Sequence, residues 1–265
     1  MFILDTIAHR LKRGCETVAY PEGPAPALPD RHGGALKVEA DKCADGCNVC
    51  VPVCPTRAIT RPQGKPVALD LGRCIFCAAC VEICPSKAIT QTGDYRMAVR
   101  RREDLVLGEP GNERLRLAAA LDEELCRLFG RSLKLRQVSA GGCAACEADT
   151  NVLGTIGWDL GRFGIQFVAS PRHADGLLIT GPVTKNMELA LKKTYDAVPA
   201  PKIVIAVGAC AIAGGPFIGH AQHHNGASAL LPVDLFIPGC PPHPLTILDG
   251  LLRLLQRLGE SGNRV

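Results

Sequence analysis

Cysteine is the residue most able to do chemistry in this 265-residue chain, which holds 14 of them. Eight fall in one short stretch, as Cys43-x3-Cys47-x2-Cys50-x3-Cys54-Pro55 and again as Cys74-x2-Cys77-x2-Cys80-x3-Cys84-Pro85. Thiolates two residues apart on a tight turn can hold adjacent irons of one cube. A fourth cysteine followed by proline does not fold back easily, and it reaches to the other half. The spacing predicts one [4Fe–4S] cluster on Cys43, Cys47, Cys50 and Cys84, and a second on Cys74, Cys77, Cys80 and Cys54. Structural zinc also takes Cys-x2-Cys pairs, but it uses two separated pairs, without a third cysteine at that spacing or the following prolines.

Four more cysteines stand far downstream. Cys143 and Cys146 lie in Gly141-Gly142-Cys143-Ala144-Ala145-Cys146-Glu147, Cys210 in Val207-Gly208-Ala209-Cys210-Ala211, and Cys240 in Pro238-Gly239-Cys240-Pro241-Pro242. They follow apolar runs that read as buried strands, Leu133–Val138, Lys202–Val207 and Val233–Ile237. Ligands of open α/β sheets bind beyond the C-terminal strand ends, so four thiolates there fit a third [4Fe–4S] cluster. The plainer reading makes Cys210 and Cys240 small buried apolar residues and Cys143/Cys146 a redox pair. Glu147 either relays protons or tunes the cluster's field, or it caps a helix beginning near Thr150. Cys126 reads as a packing thiol and Cys15 as a bystander. The tract His220-Ala221-Gln222-His223-His224 has a metal-binding look, but it reads as a loop facing solvent or a partner; His173 has no assigned role.

The elements that must position these residues fall into four segments. Residues 1–35 are an N-terminal extension, a short amphipathic start and then a Pro/Gly-rich connector, Tyr20–Pro26. Residues 36–92 carry an internal repeat, Cys50–Thr60 matching Cys80–Thr90 at a period of 30, while Cys43 matches Cys74 at 31. One residue is therefore inserted in the Cys43–Cys47 turn: either Gly46 relaxes the longer turn and all four ligands stay, or that cluster is altered in potential or loses one ligand. Residues 93–134 form a charged linker in which Arg100-Arg101-Arg102-Glu103-Asp104 reads first as a solvated face and second as a docking patch. A helix capped by Asn112 is expected to follow, with Leu115, Ala118, Leu121, Leu125 and Leu128 on one face, ending at Gly130. Residues 135–258 add strands at Phe163–Ala169 and Gly176–Thr180, with helices at Thr150–Asp159, Asn186–Tyr195 and Leu245–Leu258. That alternation predicts a doubly wound, mostly parallel α/β domain, beside a small α+β two-cluster module.

Composition narrows the function classes. With 47% hydrophobic and 21% charged residues the chain is an ordinary globular one, and a net charge of +4 gives no footing for nucleic acid. Asp5 precedes Arg10, Lys12 and Arg13, the wrong order for a signal peptide, and no run reaches the ~18 apolar residues of a membrane span. The chain reads as cytoplasmic, with reduced thiols. No Gly-x-Gly-x-x-Gly follows the first strand, so a dinucleotide site has no support.

The crossed arrangement of residues 36–92 is that of bacterial two-cluster ferredoxins. Residues 135–258 resemble the small subunit of [NiFe] hydrogenases and its relative, the 20 kDa (B) subunit of complex I. Gly142–Glu147, Ser170–Asp175, Thr180–Thr184, Gly208–Ala211 and Pro238–Pro242 carry that likeness. Complex I subunits have two adjacent cysteines at the first position, whereas Cys143-x2-Cys146 resembles the membrane-bound, energy-converting group 4 hydrogenases. Residues 1–107 resemble the two-cluster ferredoxin subunit of formate hydrogenlyase, through Gly72–Cys77, Tyr95–Val99 and Tyr20-Pro21.

The chain thus resembles two neighbouring subunits fused. The resemblance implies a flavodoxin-like C-terminal fold, three [4Fe–4S] clusters, and a proximal cluster on Cys143, Cys146, Cys210 and Cys240. It implies no catalytic residue in this chain, because the Ni–Fe site would lie in a partner large subunit. Further partners would be membrane-arm subunits and an upstream donor, formate-dehydrogenase-linked or a ferredoxin. The chain would sit peripherally on the inner face of the cell membrane. The alternative is the equivalent subunit of a complex I-like NADH/ferredoxin:quinone oxidoreductase without nickel. A third reading is a free ferredoxin-type carrier fused to a binding module.

Overall fold

A repeat with few apolar residues between its cysteines can form only short strands, and the structure bears this out. It is a computed structural model that describes residues 2–61, 67–108 and 114–258. The first element, α1 (Phe2–Arg13), is an exposed amphipathic helix. The cysteine-rich repeat follows as β1 (Leu36–Val38), β2 (Ile59–Thr60), β3 (Ala68–Asp70), the short helix α2 (Ala79–Ile83) and β4 (Ile89–Gln91). Strand β1 pairs antiparallel with β4, Val38 opposite Ile89. Strand β5 (Val106–Leu107), from the charged segment, pairs with β3 and completes a second antiparallel sheet with β2.

The segment after β5 departs from the sequence expectation. Asn112 lies outside the described residues. Helix α3 spans only Glu123–Phe129, opened by Asp122, whose carboxylate accepts from the Leu125 N–H at 2.9 Å. Leu115, Ala118 and Leu121 lie in irregular chain, because tertiary partners take backbone groups a helix would use. The Ala118 N–H donates to Ala98 O (2.7 Å) and the Leu121 N–H to Leu254 O (3.0 Å). The charged run is likewise partly docked. Arg100 donates to Asp234 O (2.7 Å) and Ala120 O (3.1 Å), and Arg102 pairs with Asp70 at 2.6 Å.

From there strands and helices alternate: β6 (Leu133–Ser139), α4 (Ala145–Val152), β7 (Ile165–Phe167), β8 (Gly176–Thr180), α5 (Lys185–Ala197), β9 (Ile203–Val207), α6 (Gly208–Ala213), β10 (Leu235–Ile237) and α7 (Pro244–Leu254). The five strands form one parallel sheet ordered β10-β9-β8-β6-β7, with Val138 opposite Ile179. Counted within the domain this is 2-1-3-4-5, the flavodoxin-like order, which reverses between β6 and β8. The helix expected at Thr150–Asp159 begins earlier, at Ala145, and ends at Val152.

Both faces of the sheet are covered. On one, Leu133, Leu178, Ile205 and Ile237 pack with Leu248 and Leu251 of α7. On the other, Ile179, Val204 and Phe236 belong to an apolar cluster continuous with Leu36, Ile59, Leu69 and Ile89 of the repeat. Val99 and Phe236 exchange backbone hydrogen bonds of 3.0 and 2.9 Å, so the two halves share a core and a strand bridge. Residues 17–20 run against the C-terminal domain: Val18 N–H donates to Gly157 O (2.8 Å), and Arg162 donates to Val18 O (2.7 Å) and Tyr20 O (2.6 Å).

That strap ends in a buried polar group. The Tyr20 hydroxyl donates to Asp249 at 2.9 Å, and Arg253, one turn along α7, pairs with the other carboxylate oxygen at 2.8 Å; Asp249 is 0% exposed. Removing one member of a buried pair strands the other charge, which costs about 3–5 kcal/mol. Asp249→Ala is therefore expected to lower stability by that amount in thermal unfolding followed by circular dichroism. Tyr20→Phe, which loses one hydrogen bond and leaves the ion pair, is expected to cost about 1 kcal/mol.

Candidate cluster-binding sites

The repeat places its cysteines on hydrogen-bonded turns. Ahead of Cys74, the Asp70 carbonyl accepts from the Cys74 N–H (3.1 Å), and its carboxylate accepts from the Gly72 N–H (2.9 Å) and from Arg102. In Cys77-Ala78-Ala79-Cys80, Ala78 takes φ 64° and α2 starts at the next residue. The two halves repeat a further contact: Ala58 N–H donates to Cys54 Sγ and Ala88 N–H to Cys84 Sγ, both at 3.2 Å. Backbone amides aimed at sulfur are the usual means of holding and tuning thiolate ligands.

The thiols gather in two crossed groups. Burial pushes the Cys50 thiol up, and neighbouring Cys43, Cys84 and Cys47 push it further. Burial, set against a hydrogen bond from Phe76 N–H, takes Cys74 up to about 12, with Cys80, Cys54 and Cys77 adding to the rise. Cys80 reaches about 11, again by burial first and then by Cys54 and Cys77. Cys84 thus neighbours the first-half cysteines, and Cys54 the second-half ones.

The third group forms at the C-terminal edge of the parallel sheet. Cys143-Ala144-Ala145-Cys146 follows β6 and repeats the backbone of Cys77–Cys80: Ala144 takes φ 66° and α4 starts at Ala145. This loop stands beside the strand-order reversal, where open sheets bind ligands. Cys210 lies in α6 directly after β9, and Cys240 follows β10. Gly208, at φ +89°, lets the chain pass close to Cys146, since a Cβ there would stand 2.5 Å from its sulfur. Burial carries Cys146 up to about 12, with Cys210, Glu147, Cys240 and Cys143 contributing in that order. Cys210 also reaches about 12, by burial and then by Cys240 and Cys143. Cys146 is buried while Cys143 and Cys240 are exposed, so one edge of the group faces outward.

Glu147 is not the helix cap. It sits within the first turn of α4, and the Thr180 hydroxyl donates to it at 2.6 Å. Burial raises its carboxyl, but hydrogen bonds from Ser139 and Thr180 outweigh that and hold it below the usual carboxylate range. Its position beside Cys146 leaves a role toward that group open to it.

Loops of the second and third groups line one cavity. A cavity of ≈ 600 Å³ is lined by Ile75 and Phe76, between Cys74 and Cys77, and by Gly239 to His243, which includes Cys240. His32 and His243 meet edge to face across it, centroids 5.4 Å apart, and burial holds both imidazoles below their ordinary range. The first group has no wall in this cavity.

Among the described residues, no three His, Cys, Asp or Glu side chains gather tightly enough for one metal ion. The histidine tract is divided: His223 is buried and accepts from Asn225 N–H (3.1 Å), His224 lies 2.8 Å from Glu188, and His220 is exposed. Cys126 donates to Leu121 O (3.3 Å) and packs against the core; Cys15 is exposed. His173, on a short turn before β8, stands apart from all three groups.

Residues 143–254 match the family described as NADH ubiquinone oxidoreductase, 20 Kd subunit, and residues 42–89 match the 4Fe-4S dicluster domain. A probable membrane-bound hydrogenase subunit of Pyrococcus furiosus is 41% identical over 149 residues, 56% of this chain and 89% of that protein. The NADH-quinone oxidoreductase subunit designated B in Clostridium beijerinckii is 44% identical over 118 residues, 44% of this chain and 70% of that protein. Among solved structures, a chain of the archaeal membrane-bound sulfane sulfur reductase is similar at 33% identity and a TM-score of 0.45, covering 51% of this chain and 75% of that one. The chain belongs to the family of the complex I 20 kDa subunit and its hydrogenase counterparts, with a 4Fe-4S dicluster domain joined ahead of it.

Proposed function

We propose that this chain is the iron–sulfur electron-transfer subunit of a membrane-associated [NiFe]-hydrogenase complex of the formate hydrogenlyase type. Its three cysteine groups would hold three [4Fe–4S] clusters, leading to or from the Ni–Fe site of a partner large subunit. The observation that carries this is the shared cavity: the loop bearing Cys74 and Cys77 faces the loop bearing Cys240. The cysteines then define a path, from Cys43, Cys47, Cys50 and Cys84, through Cys54, Cys74, Cys77 and Cys80, to Cys143, Cys146, Cys210 and Cys240.

The residues fit the group. Buried thiols that oppose one another's ionisation call for a cationic core to hold them as thiolates. When bound, such clusters supply one-electron chemistry at potentials between about −700 and +450 mV, set by hydrogen bonds, burial and charge. The chain's own contribution is that setting: the Ala58, Phe76 and Ala88 amides directed at sulfur, and the buried position of Cys146.

The exposed thiols of Cys143 and Cys240 would be the edge that the large subunit covers. Membrane-arm subunits, and an upstream ferredoxin or formate-dehydrogenase-linked donor, complete the assembly. Among the described residues no helix is long and apolar enough to cross a membrane, so attachment to the inner face would run through those partners. The 44% identity to an NADH-quinone oxidoreductase subunit favours a second reading, in which this chain serves a large subunit without nickel.

Anaerobic isolation of the tagged chain from its host separates the two readings. Co-purifying nickel with hydrogen evolution from reduced viologen is expected. A large partner without nickel would move the chain to the complex I-like class, and a chain isolated alone and active with many acceptors would favour the free carrier. The third cluster has its own test. Gly208→Ala drives a methyl group into Cys146 Sγ and strains a left-handed residue. It is expected to remove about four irons per chain, one cluster, while the two ferredoxin-type signals persist.

A further inference from the structure

The turn lengthened by one residue has its own cation. Its backbone runs from Cys43 through Ala44, Asp45 and Gly46 to Cys47, with Gly46 at φ +74° and the Cys47 N–H closing onto Ala44 O at 3.1 Å. The Arg61 guanidinium, just past β2, donates to Cys43 Sγ at 3.2 Å, to Ala44 O at 3.1 Å and to Cys47 O. One terminal nitrogen of this cation, Nη1, thus stands against a ligand sulfur and two carbonyls of the lengthened loop.

The second repeat does otherwise. Cys74 Sγ accepts from a backbone amide, that of Phe76, at 3.3 Å. The residue one period on from Arg61 is Gln91, which lies in β4 beside Gly33 rather than on the Cys74 turn. The inserted residue and the arginine are therefore two halves of one asymmetry between the repeats.

We infer that Arg61 is a positioning residue for the cluster on Cys43, Cys47, Cys50 and Cys84, holding the lengthened turn in a ligating shape and raising that cluster's reduction potential. A permanent positive charge in contact with a ligand sulfur favours the reduced state, which carries one more electron. This rests on the cluster assignment proposed above.

The test uses the full chain, isolated anaerobically with its clusters, in redox titrations followed by electron paramagnetic resonance together with iron analysis. In Arg61→Gln the midpoint of one ferredoxin-type cluster is expected to fall while the other midpoints stay. Loss of one charged hydrogen bond is worth about a tenfold change in the reduced-to-oxidised ratio, ~59 mV for one electron. Arg61→Lys keeps the charge on a shorter arm that does not reach all three acceptors, so it is expected to restore most of the potential but to lose iron from that cluster faster under a chelator. Loss of about four irons in Arg61→Gln, with the potential retained in Arg61→Lys, would also support the positioning role. Unchanged midpoints and iron in both variants, or an equal shift of all the clusters, would overturn the inference. Wild-type chain without two ferredoxin-type signals would instead sink the cluster assignment, and this inference with it.

Discussion

Each cysteine group buries at least one thiol whose ionisation is opposed first by burial and then by its neighbouring sulfurs, and a bound group must answer that penalty. A free thiol ionises near 8.5, whereas burial and neighbouring sulfurs hold Cys74, Cys146 and Cys210 near 12. Thiolate ligation at such places depends on cations of the bound group, so cofactor binding and folding are one equilibrium. The repeat shows the consequence: strands of two or three residues, few apolar side chains, and turns fixed by Asp70, Arg102 and amide-to-sulfur hydrogen bonds.

Joining the two units in one chain converts an encounter into a fixed geometry. The cores are continuous, Val99 pairs with Phe236, and Gly72 stands so close to Ile212 that a Cβ would lie 2.8 Å from its side chain. The residues between the units are structural: β5 completes the repeat's second sheet, and Arg100 clamps the carbonyls of Asp234 and Ala120. The loops carrying Cys74 and Cys240 line one cavity, so transfer between clusters held there would need no docking step.

Legibility in the sequence followed the range of the interaction. Cysteine spacing is local, so the repeat itself suggests the crossed grouping, and Gly176–Thr180 and the other buried strands were readable as apolar runs. What escaped depends on partners distant in sequence. The stripe from Leu115 to Leu128 has helical period, but Ala98 and Leu254 claim the backbone of Ala118 and Leu121, and helix forms only after Asp122. The arginines at 100 and 102 looked solvated because their acceptors lie 134 and 32 residues away. Arg61 carried one faint signal: it stands 30 residues before Gln91, just past the repeat, near a turn already marked by its extra residue.

The central claim is that the three cysteine groups each hold a four-iron cluster, with the second and third adjacent. Iron and acid-labile sulfide per chain, determined together with paramagnetic resonance during reduction of the anaerobically isolated full chain, test it most directly. The account predicts about twelve irons and twelve sulfides, three separately reducible centres, and magnetic coupling between the two that share the cavity at Phe76 and Cys240. Zinc in place of iron at any group, or eight irons with no third centre, would contradict it.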